Sequence, residues 1–158
     1  MRAGDSHRVV NPIKEMRGLN ELALFAGAGG GLLASRLLGW RTRCAVEIDP
    51  YARRILLARQ RDGLLDPFPI WDDIRTFDGK PWRGHIDVIS AGFPCTPFSC
   101  VGKREADESD KNMWPETIRV IREVRPNHLL LENVPGLLFQ SHGYMHTILG
   151  DLAESGYD

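Results

Sequence analysis

The feature that most narrows the fold is an alternation beginning at Leu22, in which short apolar runs are separated by longer segments of helical periodicity. Such a pattern implies strand, crossover helix and parallel strand in repetition, because each apolar strand must be covered by a helix with an apolar inner face. Strands are expected near residues 22–25, 43–47, 70–71, 87–91 and 128–132. Helices are expected at about residues 32–38, from Pro50 through Ala58, and at about 115–124 and 145–154. Gly39 predicts a left-handed cap ending the first helix. Asp49 and Pro50 predict the N-cap and first position of the second, with Ile55, Leu56 and Ala58 as its apolar face. Residues 61–69 and 102–112 read as loops, since turn formers and charges replace periodic apolar residues. A loop as long as the second is either a functional lid or a segment without fixed structure. The expected fold class is α/β, a doubly wound and mostly parallel sheet.

Composition sets outer bounds. The chain has 158 residues, 42% of them hydrophobic and 26% charged. That suits one globular domain burying roughly two thirds of its unfolded surface. With 20 Lys and Arg against 21 Asp and Glu, the net charge of -1 gives no overall pull toward nucleic acid. Any phosphate contacts must therefore come from local patches. Cys44, Cys95 and Cys100 form neither a Cys-x-x-Cys pair nor an even disulfide set, which fits a reducing compartment. Residues 1–18 carry charges and turn formers without a continuous apolar core, so a mobile tail is expected there rather than a signal peptide. No apolar run approaches the roughly 20 residues of a membrane span.

Candidate chemistry gathers where strands end. Phe25, Ala26, Gly27, Ala28, Gly29, Gly30 and Gly31 stand where the first strand turns into a helix. Glycines there let the backbone approach a ligand, and the helix N-terminus offers free N–H groups. The dinucleotide pattern Gly-x-Gly-x-x-Gly does not fit, because Leu32 occupies the place of its third glycine. A tight turn without a ligand is the alternative. Glu47 ends the second strand about 20 residues on, where an acid commonly accepts from both ribose hydroxyls. A solvated strand end is the alternative, and Asp49 is assigned to capping. Asp72 and Asp73 follow the third strand, where a carboxylate could accept from an adenine amino group while Ile74 packs on the ring. A simple turn is equally consistent.

The most informative segment is Gly92, Phe93, Pro94, Cys95, Thr96, Pro97, Phe98, Ser99, directly after a buried-looking strand. Prolines on both sides of Cys95 and Thr96 stiffen the loop and keep it out of helical conformation, so a thiol can be held in place. A free thiol titrates near about 8.5, so a nucleophile at neutral pH needs positioning and activation. Cys100 lacks such a frame and is read as structural. Glu132, Asn133, Val134, Pro135 and Gly136 follow the last strand. Glu132 emerges from an apolar run, a setting that favours a proton-donating role, with capping of the next turn as the alternative. Asn133 is read as holding backbone in place. In an open parallel sheet, ligands bind beyond the carboxyl ends of the strands where strand order reverses. Every candidate group follows a strand.

These residues resemble the cytosine-5 DNA methyltransferase family, and in its order. Phe25-Ala26-Gly27-Ala28-Gly29-Gly30 resembles the cofactor turn, Glu47-Ile48-Asp49 the ribose-binding acid segment, and Asp73-Ile74 the adenine-contacting pair. Gly92-Phe93-Pro94-Cys95 with Pro97-Phe98-Ser99 is similar to the nucleophile loop, and Glu132-Asn133-Val134 to the catalytic glutamate segment. Residues 152–157 resemble the motif that ends the next helix. Thr96 stands where the family usually has glutamine and Asp72 where glycine is common. The resemblance covers residues 19–158 and implies a Rossmann-like methyltransferase fold that is C-terminally incomplete. The family's arginine-bearing segment, target-recognition region and final helix are absent. Residues 1–18 are then the tail and 19–158 a partial catalytic domain.

The resemblance implies transfer of a methyl group from S-adenosylmethionine to carbon 5 of cytosine in DNA, within a modification or restriction-modification system. Cys95 and Glu132 are the implied catalytic pair. The thiolate adds to carbon 6 of a flipped-out cytosine, and Glu132 contacts ring nitrogen N3 and the exocyclic amine. Phe25, Ala26, Gly27, Gly29, Gly30, Glu47, Ile48, Asp73, Ile74 and Pro94 are the implied cofactor contacts. Pro94, Ser99, Lys103, Arg104, Asn133 and Val134 are the implied substrate contacts, with residues 99–114 as a lid. Expected partners are double-stranded DNA and a complementary chain supplying the missing region, in the cytoplasm or on the nucleoid, with no metal and no membrane. Two alternatives keep the fold: an incomplete or noncatalytic module of such an enzyme, as a split-enzyme half or a fragment, and a tRNA cytosine-5 methyltransferase. The residues Gly92-Phe93 before the cysteine favour DNA.

Overall fold

The computed structural model describes residues 18–94, 112–139 and 144–158. Most of the expected tail and of the 102–112 loop lie outside the described residues, as do Cys95, Ser99, Cys100, Lys103 and Arg104.

Five strands, β1 (Asn20–Leu24), β2 (Arg41–Val46), β3 (Ile70–Trp71), β4 (Val88–Ala91) and β5 (His128–Leu131), form one sheet in the order β3-β2-β1-β4-β5. Every neighbouring pair is parallel, as the alternation predicts. Between them run α1 (Gly30–Leu37), α2 (Pro50–Arg61) and α3 (Trp114–Val124), followed by α4 (Gly136–Phe139) and α5 (Tyr144–Glu154). Two short 3₁₀ turns, Ile74–Thr76 and Lys80–Trp82, occupy the connection from β3 to β4.

Several boundaries differ from expectation. The first strand ends at Leu24, because Phe25 turns into left-handed backbone with φ 56°. The second and fifth strands stop one residue early, so Glu47 and Glu132 lie just past the ladder and not within it. The first helix starts at Gly30, two residues before the apolar periodicity, because its first turn is built of the exposed Gly30 and Gly31, which carry no apolar signal and have poor helix propensity. The single turn α4 carries too few residues to show a period. Gly39 has φ 80° after α1, and Asp49 caps α2 by accepting from the Tyr51 N–H at 2.7 Å, both as expected.

Strand side chains alternate between two cores. Leu22, Leu24, Cys44, Val46, Ile89 and Ala91 face α3 and α5, meeting Ile118, Ile121, Val124 and Ile148. Ala23 and Ala45 point the other way, where their small size admits Leu32 of α1 and Leu56 of α2. Glu21 is fully buried on β1, and its carboxylate accepts from Ser35 and Ser90 at 2.7 Å each and from Thr42 at 2.9 Å. Hydroxyl donors from α1, β4 and β2 thus satisfy a charge that is otherwise costly to bury.

Strand register fixes the functional edge. The last residues of all five strands pair in one row, Trp71 with Val46, Val46 with Leu24, Leu24 with Ala91, and Ala91 with Leu131. The next residue of each chain segment, Asp72, Glu47, Phe25, Gly92 and Glu132, therefore emerges along one line. Strand order reverses between β1 and β4, so the crevice opens where Phe25 and Gly92 leave the sheet.

Candidate active site

The glycine segment makes a tight left-handed turn, with φ 56° at Phe25, 53° at Gly27 and 85° at Gly29. Holding a phenylalanine there costs roughly 1–2 kcal/mol, a strain seen mostly where a site needs the backbone so placed. The glycines divide their tasks. A Cβ at Gly27, Gly30 or Gly31 would meet nothing within 4 Å, so these positions leave open space over the turn. A Cβ at Gly29 would lie 2.7 Å from a Leu56 methyl, so Gly29 is where α1 and α2 pack closely. Ala26 is half-buried against that second core.

Glu47 holds the turn from the next strand. It is buried, with Oε2 accepting the Gly27 N–H at 2.6 Å and Oε1 the Asp49 N–H at 2.8 Å. The carboxylate keeps unused lone pairs beyond these two bonds. Ile48 beside it is 57% exposed. One strand further on, Asp73 caps the first 3₁₀ turn through the Arg75 N–H at 2.9 Å and pairs with the Arg75 guanidinium at 3.0 Å. Those hydrogen bonds to Arg75 hold the Asp73 carboxyl below the usual carboxylate range. Ile74 turns inward and is buried in the core.

At the opposite end of the row, Glu132 is exposed, although it follows an apolar run. Its N–H donates to the Ala91 carbonyl at 2.9 Å, which ties it to β4. A Cβ built on Gly92 would stand 2.9 Å from Glu132 Oε2, so the carboxylate occupies space that only glycine vacates. Asn133 Nδ2 donates to the Phe93 carbonyl at 2.9 Å, and Asn133 Oδ1 accepts the Val134 N–H at 2.9 Å, the backbone-holding role read from the sequence. Pro94 is exposed, its carbonyl accepting the Met113 N–H at 3.3 Å. Behind it the Phe93 ring packs on Trp114 with centroids 5.2 Å apart, and Trp114 Nε1 donates to Asp151 of α5 at 2.8 Å. Glu132, Asn133 and Val134 line a cavity of about 420 Å³, walled otherwise by apolar side chains such as Leu131, Ile148 and Leu152.

The fold thus brings the glycine turn, Glu47, Asp73, Pro94, Glu132 and Asn133 to one edge. With strands about 4.8 Å apart, the Glu132 backbone stands roughly 10 Å from Phe25, with the Gly92–Pro94 segment between them. Cys95 follows that segment directly but lies outside the described residues. Sequence reasoning passed over the clearance at Gly92 and the support from Trp114. Both depend on contacts across the sheet edge, which no local period reports. Among the described residues no group of three His, Cys, Asp or Glu could hold a metal ion, and no helix is long and apolar enough to cross a membrane.

A family model for C-5 cytosine-specific DNA methylase matches residues 19–158. The type II methyltransferase M.NgoMIV of Neisseria gonorrhoeae is 35% identical over 137 residues, which are 86% of this chain and 42% of the relative. The type II methyltransferase M.Eco47II of Escherichia coli is 34% identical over 142 residues, 86% of this chain and 32% of the relative. The chain therefore spans less than half the length of either. A solved structure of a prophage-encoded Escherichia coli protein, designated a DNA modification methyltransferase, superposes with a TM-score of 0.66 at 26% identity, covering 87% of this chain and 38% of that one.

Proposed function

Because the chain belongs to the C-5 cytosine-specific DNA methylase family, we propose that its strand edge is the cofactor and catalytic half of a site that methylates carbon 5 of cytosine in double-stranded DNA. The observation that carries this is the row of strand ends, which sets Glu47, the glycine turn, the Gly92–Pro94 segment and Glu132 side by side around the point where strand order reverses. The type II methyltransferase relatives favour DNA as substrate and a modification role.

The open space over Gly27, Gly30 and Gly31 fits S-adenosylmethionine, with Phe25, Ala26 and Gly29 shaping the turn beneath it. S-adenosylmethionine supplies, when bound, a methyl group activated for nucleophilic attack. Glu47 accepts ribose hydroxyls through its spare lone pairs while keeping the turn closed through Gly27. Ile48 offers an exposed apolar surface beside it, and Asp73 with the backbone at Ile74 forms the adenine side.

Cys95 is the nucleophile. Its thiolate adds to carbon 6 of the cytosine, which makes carbon 5 nucleophilic. Carbon 5 takes the methyl group as its bond to the sulfonium breaks and S-adenosylhomocysteine is left, and loss of the carbon 5 proton to a base with elimination of the thiolate then restores the ring. Glu132 contacts N3 and the exocyclic amine, where its carboxyl group, on backbone tied to the Ala91 carbonyl and in the space that Gly92 leaves clear, stabilises the charge that develops. Asn133 keeps the Glu132 and Phe93 backbones in register, and Pro94, Val134, Ser99, Lys103 and Arg104 complete the substrate side.

Incubation with methyl-labelled S-adenosylmethionine and either double-stranded DNA or tRNA tests this, using the chain alone and within any longer protein that carries it. Label is expected in DNA cytosine, absent with Cys95→Ser, and the variant keeps its cofactor affinity within about twofold. DNA containing 5-fluorocytosine, which has no proton to lose, is expected to trap an adduct at Cys95 by mass spectrometry. Transfer to tRNA alone, or undiminished transfer by Cys95→Ser, refutes the proposal.

A further inference from the structure

We infer that Arg119 on α3 is a positioning residue for recognition of the adenine amino group, acting from behind the loop that carries Asp73. The inference rests on the adenine subsite proposed above and adds the device that sets its geometry.

The loop needs an external brace. It leaves β3, a strand of two residues, and passes through two short 3₁₀ turns before β4, with little ladder to hold it. Arg119 supplies the brace. Its Nη2 donates to the Ile74 carbonyl at 2.6 Å and its Nη1 to the Phe77 carbonyl at 3.0 Å, spanning the first 3₁₀ turn that Asp73 caps. The guanidinium is held in turn by Glu116 at 2.7 Å and Glu123 at 3.0 Å. Burial works against its charge, but the hydrogen bonds to Glu116 and Glu123 outweigh that and raise its pKa above the ordinary arginine value. Glu123 Oε2 also accepts the Gly79 N–H at 2.8 Å, and a Cβ at Gly79 would come within 3.0 Å of Glu123 and Val124, so helix and loop meet without slack. One planar fork bridging two carbonyls and two carboxylates fixes direction as well as distance, which a lysine ammonium cannot do. The same helix touches the nucleophile side, where Trp114 packs on Phe93. Arg119 is thus built into an element shared by both halves of the site: its two carbonyl bonds fix the backbone of the turn that Asp73 caps, and on that turn Arg75 orients the Asp73 carboxylate.

The test compares binding of S-adenosylhomocysteine with its deaminated inosyl analogue by calorimetry, in the wild type, Arg119→Lys and Arg119→Met, with melting followed in parallel. A carboxylate aimed at the amino group meets an oxygen acceptor in the inosyl form, so the wild type is expected to prefer the adenosyl form by about tenfold or more. Arg119→Met is expected to cut that preference to within about threefold while inosyl affinity changes little, and Arg119→Lys to fall between. Should Arg119→Met unfold, the lysine variant still decides, because it keeps the charge and loses the fork. Full preference retained in a folded Arg119→Lys or Arg119→Met, or equal weakening of both ligands, overturns the positioning role. A wild type that binds both forms equally refutes the adenine subsite, and one that binds neither refutes cofactor binding; each removes this inference with it.

Discussion

Gly92→Ala isolates the placement of Glu132 from the stability of the fold. An alanine Cβ would stand 2.9 Å from Glu132 Oε2, whereas ordinary contact begins near 3.4 Å, so the carboxylate must retreat by about half an ångström or change rotamer. Gly92 is not in left-handed backbone, so alanine adds no strain of its own. The displaced atom is the far end of a flexible, exposed side chain, and moving it costs about 0.5–1.5 kcal/mol. Reduced freedom of the unfolded chain returns about 0.4–1 kcal/mol. The melting temperature should therefore stay within about 4 °C of wild type. Catalysis is far less tolerant, since misplacing a reacting group by about 1 Å can lower rates about a hundredfold. In the active protein that carries this segment, kcat/KM for methyl incorporation into DNA should fall about 10- to 100-fold, with S-adenosylmethionine affinity unchanged by calorimetry. Full kcat/KM in a folded Gly92→Ala would show that position 92 does not set Glu132. A melting loss beyond about 10 °C would show that the backbone, not the carboxylate, absorbs the contact.

Glu47→Gln replaces one acceptor oxygen with an amide donor facing the Gly27 or Asp49 N–H, so a loss of about 1.5–3 kcal/mol in urea unfolding and at least tenfold weaker cofactor binding are expected. Unchanged cofactor binding would count against the ribose role. Trp114→Phe removes the bond to Asp151 and part of a buried ring, and should lower stability by about 1–3 kcal/mol; a neutral outcome would mean that Asp151 is satisfied by Arg122 alone. Burial pushes the Cys44 thiol up to about 11. Its folded value lies above the unfolded one, so its stabilising contribution is complete below about pH 9 and declines as pH rises toward 11. Peptide-level mass spectrometry should find Cys44 alkylated at pH 8 only after denaturation, and rapid labelling of the native chain would contradict that burial.

Much of the fold was legible in the chain because its signals are local. The alternation from Leu22 sets the βαβ order, Asp49 with Pro50 starts α2, and Gly39 ends α1, each through backbone rules that act within a few residues. The site motifs were legible for the same reason, since a glycine turn, a proline-framed cysteine and an acid after an apolar run each occupy one short segment. Strand ends were not, because Phe25 suits a strand and Glu47 and Glu132 each directly follow an apolar run, and all three leave the ladder only where the turn and the neighbouring strand require. By itself, then, the sequence determined the parallel α/β architecture and named the reactive candidates. Tertiary structure alone decided that the five strand ends share one row, that Glu47 closes the glycine turn, that Gly92 clears room for Glu132 and that Arg119 braces the loop after β3. The side-chain pairs among them lie 20 to 45 residues apart, Glu47 with Gly27 and Arg119 with Ile74 at the limits, and the strand ends Leu24 and Ala91 pair across a still longer stretch of chain. Chain geometry at one partner says nothing about the other until the sheet brings them together.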